Sequence, residues 1–70
     1  MWGKGNIDGY EYHVKYFENG SHYGIDEGGI SKLSIRKNGK ELYNFDRGLD
    51  FDRLDKDGKA AYAKILEKYN

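Results

Sequence analysis

The chain has 70 residues, and its 12 Lys and Arg residues balance its 12 Asp and Glu residues, so the formal net charge is zero. This balance excludes both a generic basic nucleic-acid binder and an acidic mimic of DNA. Cysteine is absent, which excludes a disulfide framework, and no apolar run is long enough for a signal peptide or a transmembrane helix. We therefore expect one soluble, cytoplasmic domain over residues 1–70.

The small size of this domain limits the core that it can form. A domain of this length buries only about 60% of the surface of its unfolded chain. The remaining solutions are an unusually well-packed monomer or a symmetric oligomer whose interface extends the core. Of the two, we favour a homodimer.

The first part of the chain predicts a β-hairpin followed by a long loop. Residues 2–7 form a short strand, and Asp8-Gly9 after it tolerates the positive φ values of a two-residue turn. The next residues alternate with the period of a strand. One face carries Tyr10, Tyr12, Val14 and Tyr16, and the other carries Glu11, His13, Lys15 and Phe17. Residues 21–29, which include Tyr23 and two adjacent glycines, are predicted to be a loop.

A second hairpin follows the loop. Residues 30–37 alternate again, with Leu33 and Ile35 on the apolar side. Asn38-Gly39 is the strongest short-range signal for a tight turn, and residues 41–47 then form a fourth strand. Its apolar side carries Tyr43 and Phe45, and the opposite side carries Leu42, Asn44 and Asp46.

The last part of the chain predicts a turn and a helix. Residues 49–58 are acidic and typical of a turn, and the helix covers residues 59–69 with Asp55 or Asp57 as its cap. Four apolar residues have the i, i+3, i+4, i+7 spacing of an amphipathic helix, namely Tyr62, Ile65, Leu66 and Tyr69.

The connections between the strands are short except for residues 21–29, which favours a meander with the helix folded across one face. The predicted fold is therefore α+β, a four-stranded antiparallel β-meander followed by one C-terminal helix (ββββα). The covered face is expected to bury Tyr10, Tyr12, Val14, Tyr16, Leu33, Ile35, Tyr43 and Phe45 against Tyr62, Ile65 and Leu66. Trp2 or Ile7 is expected at the rim, and the other face of the sheet stays open.

The open face is predicted to carry a local basic patch despite the zero net charge. Its members are His13, Lys15, Lys32 and Arg36, gathered around Ser34. Phosphate groups or an acidic protein surface can dock on such a patch, so a single-stranded nucleic-acid or nucleotide binder is one hypothesis. Against it, Glu11, Asn44 and Asp46 share the face, and mixed charges on neighbouring strands are typical of a solvated surface.

The aromatic content of 16% is high, and most of it has a structural explanation. Most of the tyrosines alternate in register with Val14, Leu33 and Ile35, where a large side chain supplies buried area to a small core. Only Phe17 and Tyr23 fall outside this pattern, because Phe17 lies on the polar face and Tyr23 lies in the loop.

No pattern indicates catalysis, a metal or a cofactor. If Gly58 were the central glycine of a calcium-binding loop, Arg53 and Lys64 would occupy ligand positions that need oxygen donors. Residues 24–29 lack the lysine and hydroxyl of a phosphate-binding loop. The neighbouring pair Ser21-His22 has no third group to orient the imidazole. We therefore predict a protein that is not an enzyme and holds no metal and no cofactor.

Three residues are predicted to bind a partner: Tyr23, Asp46 and Arg47. Tyr and Arg are the residue types that most often anchor protein interfaces, and the glycines around Tyr23 let its loop adopt an unusual path. For Asp46 and Arg47 the structural alternative is an ion pair that holds the end of the strand.

Four short motifs lie between Ser21 and Asp50. They are Ser21-x-Tyr23-Gly24-Ile25, Gly28-Gly29-Ile30-Ser31-Lys32-Leu33, Asn38-Gly39-Lys40 and Phe45-Asp46-Arg47-Gly48-x-Asp50. Together they resemble a family of short uncharacterised proteins found in Gram-positive bacteria and in their phages and prophages. The chain departs from that pattern at Gly29, where arginine is expected, and at Leu49, where tryptophan is expected.

The resemblance implies a genomic context, since small proteins of mobile elements often bind and block a host factor, including defence systems. Our leading hypothesis is a small non-enzymatic protein, encoded by a phage or prophage, that binds a host protein as an inhibitor or accessory factor. Single-stranded nucleic acid or a nucleotide on the open face is the alternative, and no membrane partner is expected.

Overall fold

The computed structural model describes all residues 1–70 as a five-stranded antiparallel sheet with one helix across one face. The elements are β1 (Trp2–Ile7), β2 (Tyr10–Tyr16), β3 (Ile30–Lys37), β4 (Lys40–Asp46), β5 (Leu49–Asp52) and α1 (Lys56–Tyr69), with a short 3-10 helix at Ile25–Glu27. The strands lie in sequence order from β1 to β5. The α+β class, the antiparallel meander and the C-terminal helix are confirmed, whereas the number of strands is five and not four.

The additional strand lies in the segment that was expected to be a turn. In β5, Phe51 pairs with Asn44 of β4, and the backbone N–H of Arg53 donates to the carbonyl of Leu42 at 2.7 Å. Aspartate is depleted in strands, so the two aspartates of Leu49–Asp52 conceal the alternation of Leu and Phe. One of these aspartates, Asp50, links β5 to β4 by its side chain, because it accepts a hydrogen bond from the side-chain amide of Asn44 at 2.7 Å.

The two predicted tight turns are confirmed by their backbone. Asp8 and Gly9 have φ values of 53° and 88°, and Asn38 and Gly39 have φ values of 53° and 77°. Positive φ at both central residues is the property of the type I′ turn, whose twist matches that of the flanking strands. These turns set the register of β1 against β2 and of β3 against β4.

The core lies between the sheet and α1, on the predicted face. Eleven buried hydrophobic residues form it: Tyr10, Tyr12, Val14, Ile25, Ile30, Leu33, Ile35, Tyr43, Leu54, Ala61 and Ile65. Four residues of the predicted set are only partly buried, namely Tyr16, Phe45, Tyr62 and Leu66. Ile25, Ile30, Leu54 and Ala61 were not in the predicted set. Ile25 and Leu54 lie in connections between the strands and the helix, where alternation carries no signal.

A bulge in β4 changes the face of two residues. The register shifts so that Tyr43 pairs with Ile35 while Glu41 pairs with Arg36. Glu41 therefore accepts a hydrogen bond from the Ser34 hydroxyl at 2.7 Å on the open face, and Leu42 packs against the core. The assignment of Leu42 to the open face was wrong, because strict alternation does not hold across a bulge.

The prediction that Trp2 or Ile7 lies at the rim is confirmed by Ile7. Ile7 is partly buried against the core, whereas Trp2 is 60% exposed. Trp2 lies opposite Lys15 in the register of β1 with β2, so it belongs to the open face. Its ring centroid is 5.9 Å from that of His13.

Helix α1 begins at Lys56, earlier than the predicted residue 59. Asp55 is the cap, and its Oδ1 accepts hydrogen bonds from the N–H of Gly58 at 2.7 Å and from the hydroxyl of Tyr10 at 2.6 Å. The bond from Tyr10 lowers the pKa of Asp55, and the same bond raises the pKa of Tyr10 to about 12. The start of the helix is thus tied to β2.

Replacing Tyr10 with Phe tests this tie through its pH dependence. A carboxyl with a lowered folded-state pKa stabilises the fold above its ordinary value of 3.8 and loses that contribution as the pH falls through the folded-state pKa. We expect Tyr10→Phe to be less stable than the wild type at neutral pH, with a smaller further loss below pH 3.8. Urea unfolding at a series of pH values measures both effects. Tyr16→Phe, in the same strand, is the control, and equal acid sensitivity in wild type and Tyr10→Phe would contradict the assignment.

Candidate functional site

Tyr23 and Arg47, which are distant in sequence, lie in contact at one corner of the open face. The guanidinium carbon of Arg47 is 4.6 Å from the centroid of the Tyr23 ring, within the range of a cation–π interaction. The backbone N–H of Arg47 donates to the carbonyl of Ser31 at 2.9 Å. This bond places the turn after β4 beside the start of β3, where the loop that carries Tyr23 ends.

Arg47 has an unusual backbone conformation. Its φ is 58°, in the left-handed region that costs a non-glycine residue about 1 kcal/mol or more. The residue after it is Gly48, so the turn already contains the residue type that adopts such angles freely. The conformation directs the guanidinium over Tyr23.

Asp46 does not pair with its neighbour Arg47. It lies opposite Lys32 in the register of β3 with β4, and its Oδ1 is 3.7 Å from the Nζ of Lys32. No carboxylate lies within ion-pair distance of Arg47. The guanidinium therefore keeps its hydrogen-bond donors available to a ligand.

The residues around this contact form a depression, which we call the corner cleft. Its volume is about 350 Å³, and it is lined by Lys15, Phe17, Asn19, Ser21, Tyr23, Ser31, Lys32 and Arg47. The Nζ of Lys15 is 5.7 Å from the ring centroids of both Trp2 and Phe17. The cleft thus combines three cations with exposed aromatic rings.

The corner cleft brings together residues from two sites that were predicted separately from the sequence. Tyr23 and Arg47 come from the predicted partner-binding set, and Lys15 and Lys32 come from the predicted basic patch. Phe17 was singled out only as an aromatic outside the core. Of the other lining residues, Ser21 lies in the predicted loop that carries Tyr23, whereas Asn19 and Ser31 carried no sequence signal that could have identified them.

His13 and Arg36, the other members of the basic patch, lie elsewhere on the open face. They line a second depression, which we call the β1 depression, with a volume of about 520 Å³. Its remaining lining residues are Lys4, Gly5, Asn6, Glu11, Tyr12 and Ser34. The predicted patch is therefore two separate basic regions, and Glu11 is among the residues of the second.

The loop that carries Tyr23 is ordered by the end of the chain. The side chain of Asn70 accepts a hydrogen bond from the N–H of Ile30 at 3.0 Å and donates one to the carbonyl of Ile25 at 3.1 Å. A β-carbon on Gly28 would overlap the Asn70 side chain, so glycine is required for this approach. Ile25 is also buried in the core. The loop is therefore held at Ile25 by packing and by Asn70, and at Ile30 by Asn70.

His22 lies outside the corner cleft. Its side chain is 91% exposed, and its Nδ1 is 2.9 Å from the Oε2 of Glu27. His22 is therefore an exposed residue of the loop that carries Tyr23. The pair lies within one loop and involves no group of the cleft.

The buried tyrosine hydroxyls serve the packing of α1. The hydroxyls of Tyr12 and Tyr69 are 3.0 Å apart, and this bond raises the pKa of Tyr12 to about 12. Burial raises the pKa values of Tyr43 and Tyr62. Tyr12, Tyr43 and Tyr62 therefore stay protonated at neutral pH. They lie on the covered face, and none of them lines the corner cleft.

Comparison with known proteins gives the family of the chain. A family model described as a domain of unknown function, DUF7678, matches residues 1–70. The chain belongs to this family. The match confirms the expected membership of an uncharacterised family of small domains. No curated protein and no solved structure matches the chain. The single helix of this DUF7678 member is not long and apolar enough to cross a membrane.

Replacing Asn70 with Ala tests whether the end of α1 orders the loop. The change removes both hydrogen bonds to the loop, each worth about 1 kcal/mol, so we expect a loss of about 1–2 kcal/mol in the free energy of unfolding. Amide exchange in residues 21–29 should accelerate more than exchange in β2 and β3. The control is Glu67→Ala, an exposed position in the same helix. Uniform acceleration across the sheet would contradict a local role.

Proposed function

We propose that this protein is a non-enzymatic binding protein whose corner cleft contacts an acidic surface of a partner protein. The observation that carries the proposal is the position of Arg47, which has a left-handed backbone, lies over Tyr23 and has no carboxylate partner. A strained residue that the fold maintains beside an exposed aromatic ring is a reason to assign function to its side chain.

The exposed aromatic residues support a protein interface. Trp2, Phe17 and Tyr23 are 60%, 50% and 57% exposed, although such side chains are normally used for a core. Lys15 lies near the rings of Trp2 and Phe17, and Phe17 lines the corner cleft together with Tyr23 and Arg47. We call these aromatic residues, with Lys15 between Trp2 and Phe17, the aromatic stripe, which ends at Arg47. Trp, Tyr and Arg are the residue types enriched where binding energy is concentrated.

The charges of the corner cleft support an acidic partner. Lys15, Lys32 and Arg47 line it, and no acidic side chain is among its lining residues. Asp46, which precedes Arg47 in the chain, is engaged by Lys32. The local charge is therefore positive although the chain as a whole is neutral. A cluster of positive side chains on a binding surface steers a partner of opposite charge towards it and orients that partner.

The sequence resemblance suggests which kind of partner to look for. Small proteins of Gram-positive bacteria and their phages often act on proteins of the host cell, including those of defence systems. We therefore infer that the partner is a host protein and that this chain acts on it as an inhibitor or accessory factor. A cytoplasmic location belongs to this proposal, and the homodimer stays a prediction from chain length.

A second candidate function is the binding of single-stranded nucleic acid. It is favoured by the position of Lys15, whose ammonium group lies near the exposed rings of both Trp2 and Phe17. Alternating cations and aromatic rings are the means by which sheets bind single strands, through phosphate contacts and base stacking. His13 and Arg36 of the β1 depression could extend such a site.

Replacing Arg47 with Gly separates binding from folding. Glycine removes the guanidinium and relieves the strained φ, so we expect a free energy of unfolding equal to the wild type or up to about 1 kcal/mol higher. Affinity for the partner should fall by about tenfold or more, as for a hot-spot residue. The partner is first identified with the wild-type chain as bait in an extract of the native host, and the affinity of the purified pair is then measured.

The matched control is Arg53→Gly. Arg53 also lies over an aromatic ring, 5.0 Å from the centroid of Phe51, but it does not line the corner cleft. Tyr23→Ala should reproduce the loss of affinity. A partner that binds Arg47→Gly and Tyr23→Ala as tightly as the wild type would place the contact surface elsewhere.

A single-stranded homopolymer, tested at low and at moderate salt, decides between the two candidates. For an acidic protein partner, we expect no saturable binding of the oligonucleotide even at low salt. Nucleic-acid binding through Lys15, Lys32 and Arg47 would instead appear at low salt and weaken steeply as salt rises, because each phosphate contact releases counterions. That result would replace the first candidate by the second.

A further inference from the structure

Strand β1 is an unprotected edge of the sheet. It pairs with β2 alone, it is six residues long, and its register with β2 has no bulge. It contains no proline, and Lys4 is its only charged residue. The opposite edge, β5, is four residues long and carries two aspartates. Long edges without bulges or prolines are the ones on which another strand can add.

The hydrogen-bond pattern identifies the free backbone groups of this edge. Met1 and Tyr16 exchange both backbone bonds, at 3.0 and 2.9 Å. Hydrogen-bonded pairs alternate along an antiparallel ladder, so Gly3, Gly5 and Ile7 also bond to β2. The N–H and C=O groups of the intervening residues, Trp2, Lys4 and Asn6, therefore point away from the sheet.

We propose that this edge binds an extended acidic segment of a partner protein, which adds antiparallel to β1 as a sixth strand. The site uses the backbone of β1 and none of the residues that line the corner cleft, so it does not depend on the proposed function. Trp2 is the one residue that it shares with the aromatic stripe. Main-chain hydrogen bonds to Trp2, Lys4 and Asn6 supply the attachment, and the side chains on the two faces select the segment.

On the open face, charge selects an acidic side chain. Lys4 lies opposite His13 on β2, and both line the β1 depression with Arg36. Glu11 is the only acid in that lining. The residue of an added strand that faces Lys4 has its β-carbon about 5 Å from that of Lys4, so a carboxylate at this position meets the basic side of the depression.

On the covered face, the glycines of β1 select an apolar side chain. Gly3 and Gly5 lie opposite Val14 and Tyr12, and a β-carbon on Gly3 would lie 3.0 Å from the Tyr69 ring. The ring of Tyr69 thus fills the space that a side chain at Gly3 would occupy, and it presents an apolar surface to the covered face of an added strand. A segment in which acidic residues alternate with apolar ones satisfies both faces.

A second copy of this chain fits the edge less well. The antiparallel register that uses all three free residues pairs Trp2 with Asn6 of the other copy and Lys4 with its own equivalent. Like charges directly opposite each other destabilise a strand pair, and shifted registers lose hydrogen bonds. Lys4 therefore disfavours self-pairing and favours an acidic segment.

The test uses an end-blocked synthetic peptide in which Glu alternates with Val, added to the full chain at low salt. Trp2 is the only tryptophan and lies on the edge strand, so its fluorescence reports binding. We expect saturable binding, with amide chemical-shift changes at Trp2, Lys4 and Asn6 that exceed those at Gly3 and Gly5.

Two N-methylated versions of the peptide test the strand geometry. In the proposed antiparallel pairing the Glu residues face Lys4 and direct their N–H groups to β1, so methylation of the Glu nitrogens should abolish binding. Methylation of the Val nitrogens, which point to solvent, should leave it. Equal loss with both peptides would overturn the addition of a strand.

Charge reversal tests the selection of the segment. Lys4→Glu should weaken binding of the Glu-Val peptide at least tenfold and should strengthen binding of a Lys-Val peptide. Lys59→Glu, an exposed position on α1, is the control, and Arg47→Gly should bind the Glu-Val peptide like the wild type.

Three results would overturn the proposal: no binding by the wild type, equal binding by Lys4→Glu, or a dimer in sedimentation that protects the amides of Trp2, Lys4 and Asn6. The last result would assign the edge to a second copy. Failure here leaves the corner cleft unaffected, because the Arg47→Gly test concerns other residues.

Discussion

The attachment of α1 to the sheet by tyrosine hydroxyls is the interaction on which the rest of the structure depends. At the start of the helix Tyr10 donates to Asp55, and at its end the hydroxyls of Tyr12 and Tyr69 meet. The chain is short of aliphatic residues, so tyrosines fill the core, and each buried hydroxyl needs a partner. Because α1 supplies these partners, its position along the sheet is defined at both ends, and no buried side-chain polar atom is left without a partner.

The corner cleft follows from this attachment. Once α1 is in place, Asn70 reaches the loop at Ile25 and Ile30, which holds the preceding residues near the end of β4. Tyr23 and Arg47 then meet across the corner at 4.6 Å. The two surfaces that we assign to binding use different physical features. The cleft presents side chains that the core does not need, whereas the β1 edge presents backbone groups that the sheet does not use.

Local patterns predict most of the fold. Alternation placed Tyr10, Tyr12, Val14, Leu33, Ile35 and Tyr43 in the core, and Asp8-Gly9 and Asn38-Gly39 gave both tight turns. The misses have physical causes. Strand β5 was hidden by its aspartates, which find their place only when Asn44 is beside them, and the bulge in β4 moved Glu41 and Leu42 to faces that strict alternation does not give.

The sequence by itself determined the α+β class, the meander and the covered face, because hydrophobic period and turn chemistry are local properties. It also selected Tyr23 and Arg47 as candidate binding residues, because of their residue types. Only the tertiary structure decided that Lys15 and Lys32 join these two residues while His13 and Arg36 lie in another depression. It also decided that Asp46 pairs with Lys32 and leaves Arg47 free. These outcomes depend on strand register and on the path of a loop, which are fixed by contacts between residues far apart in the chain.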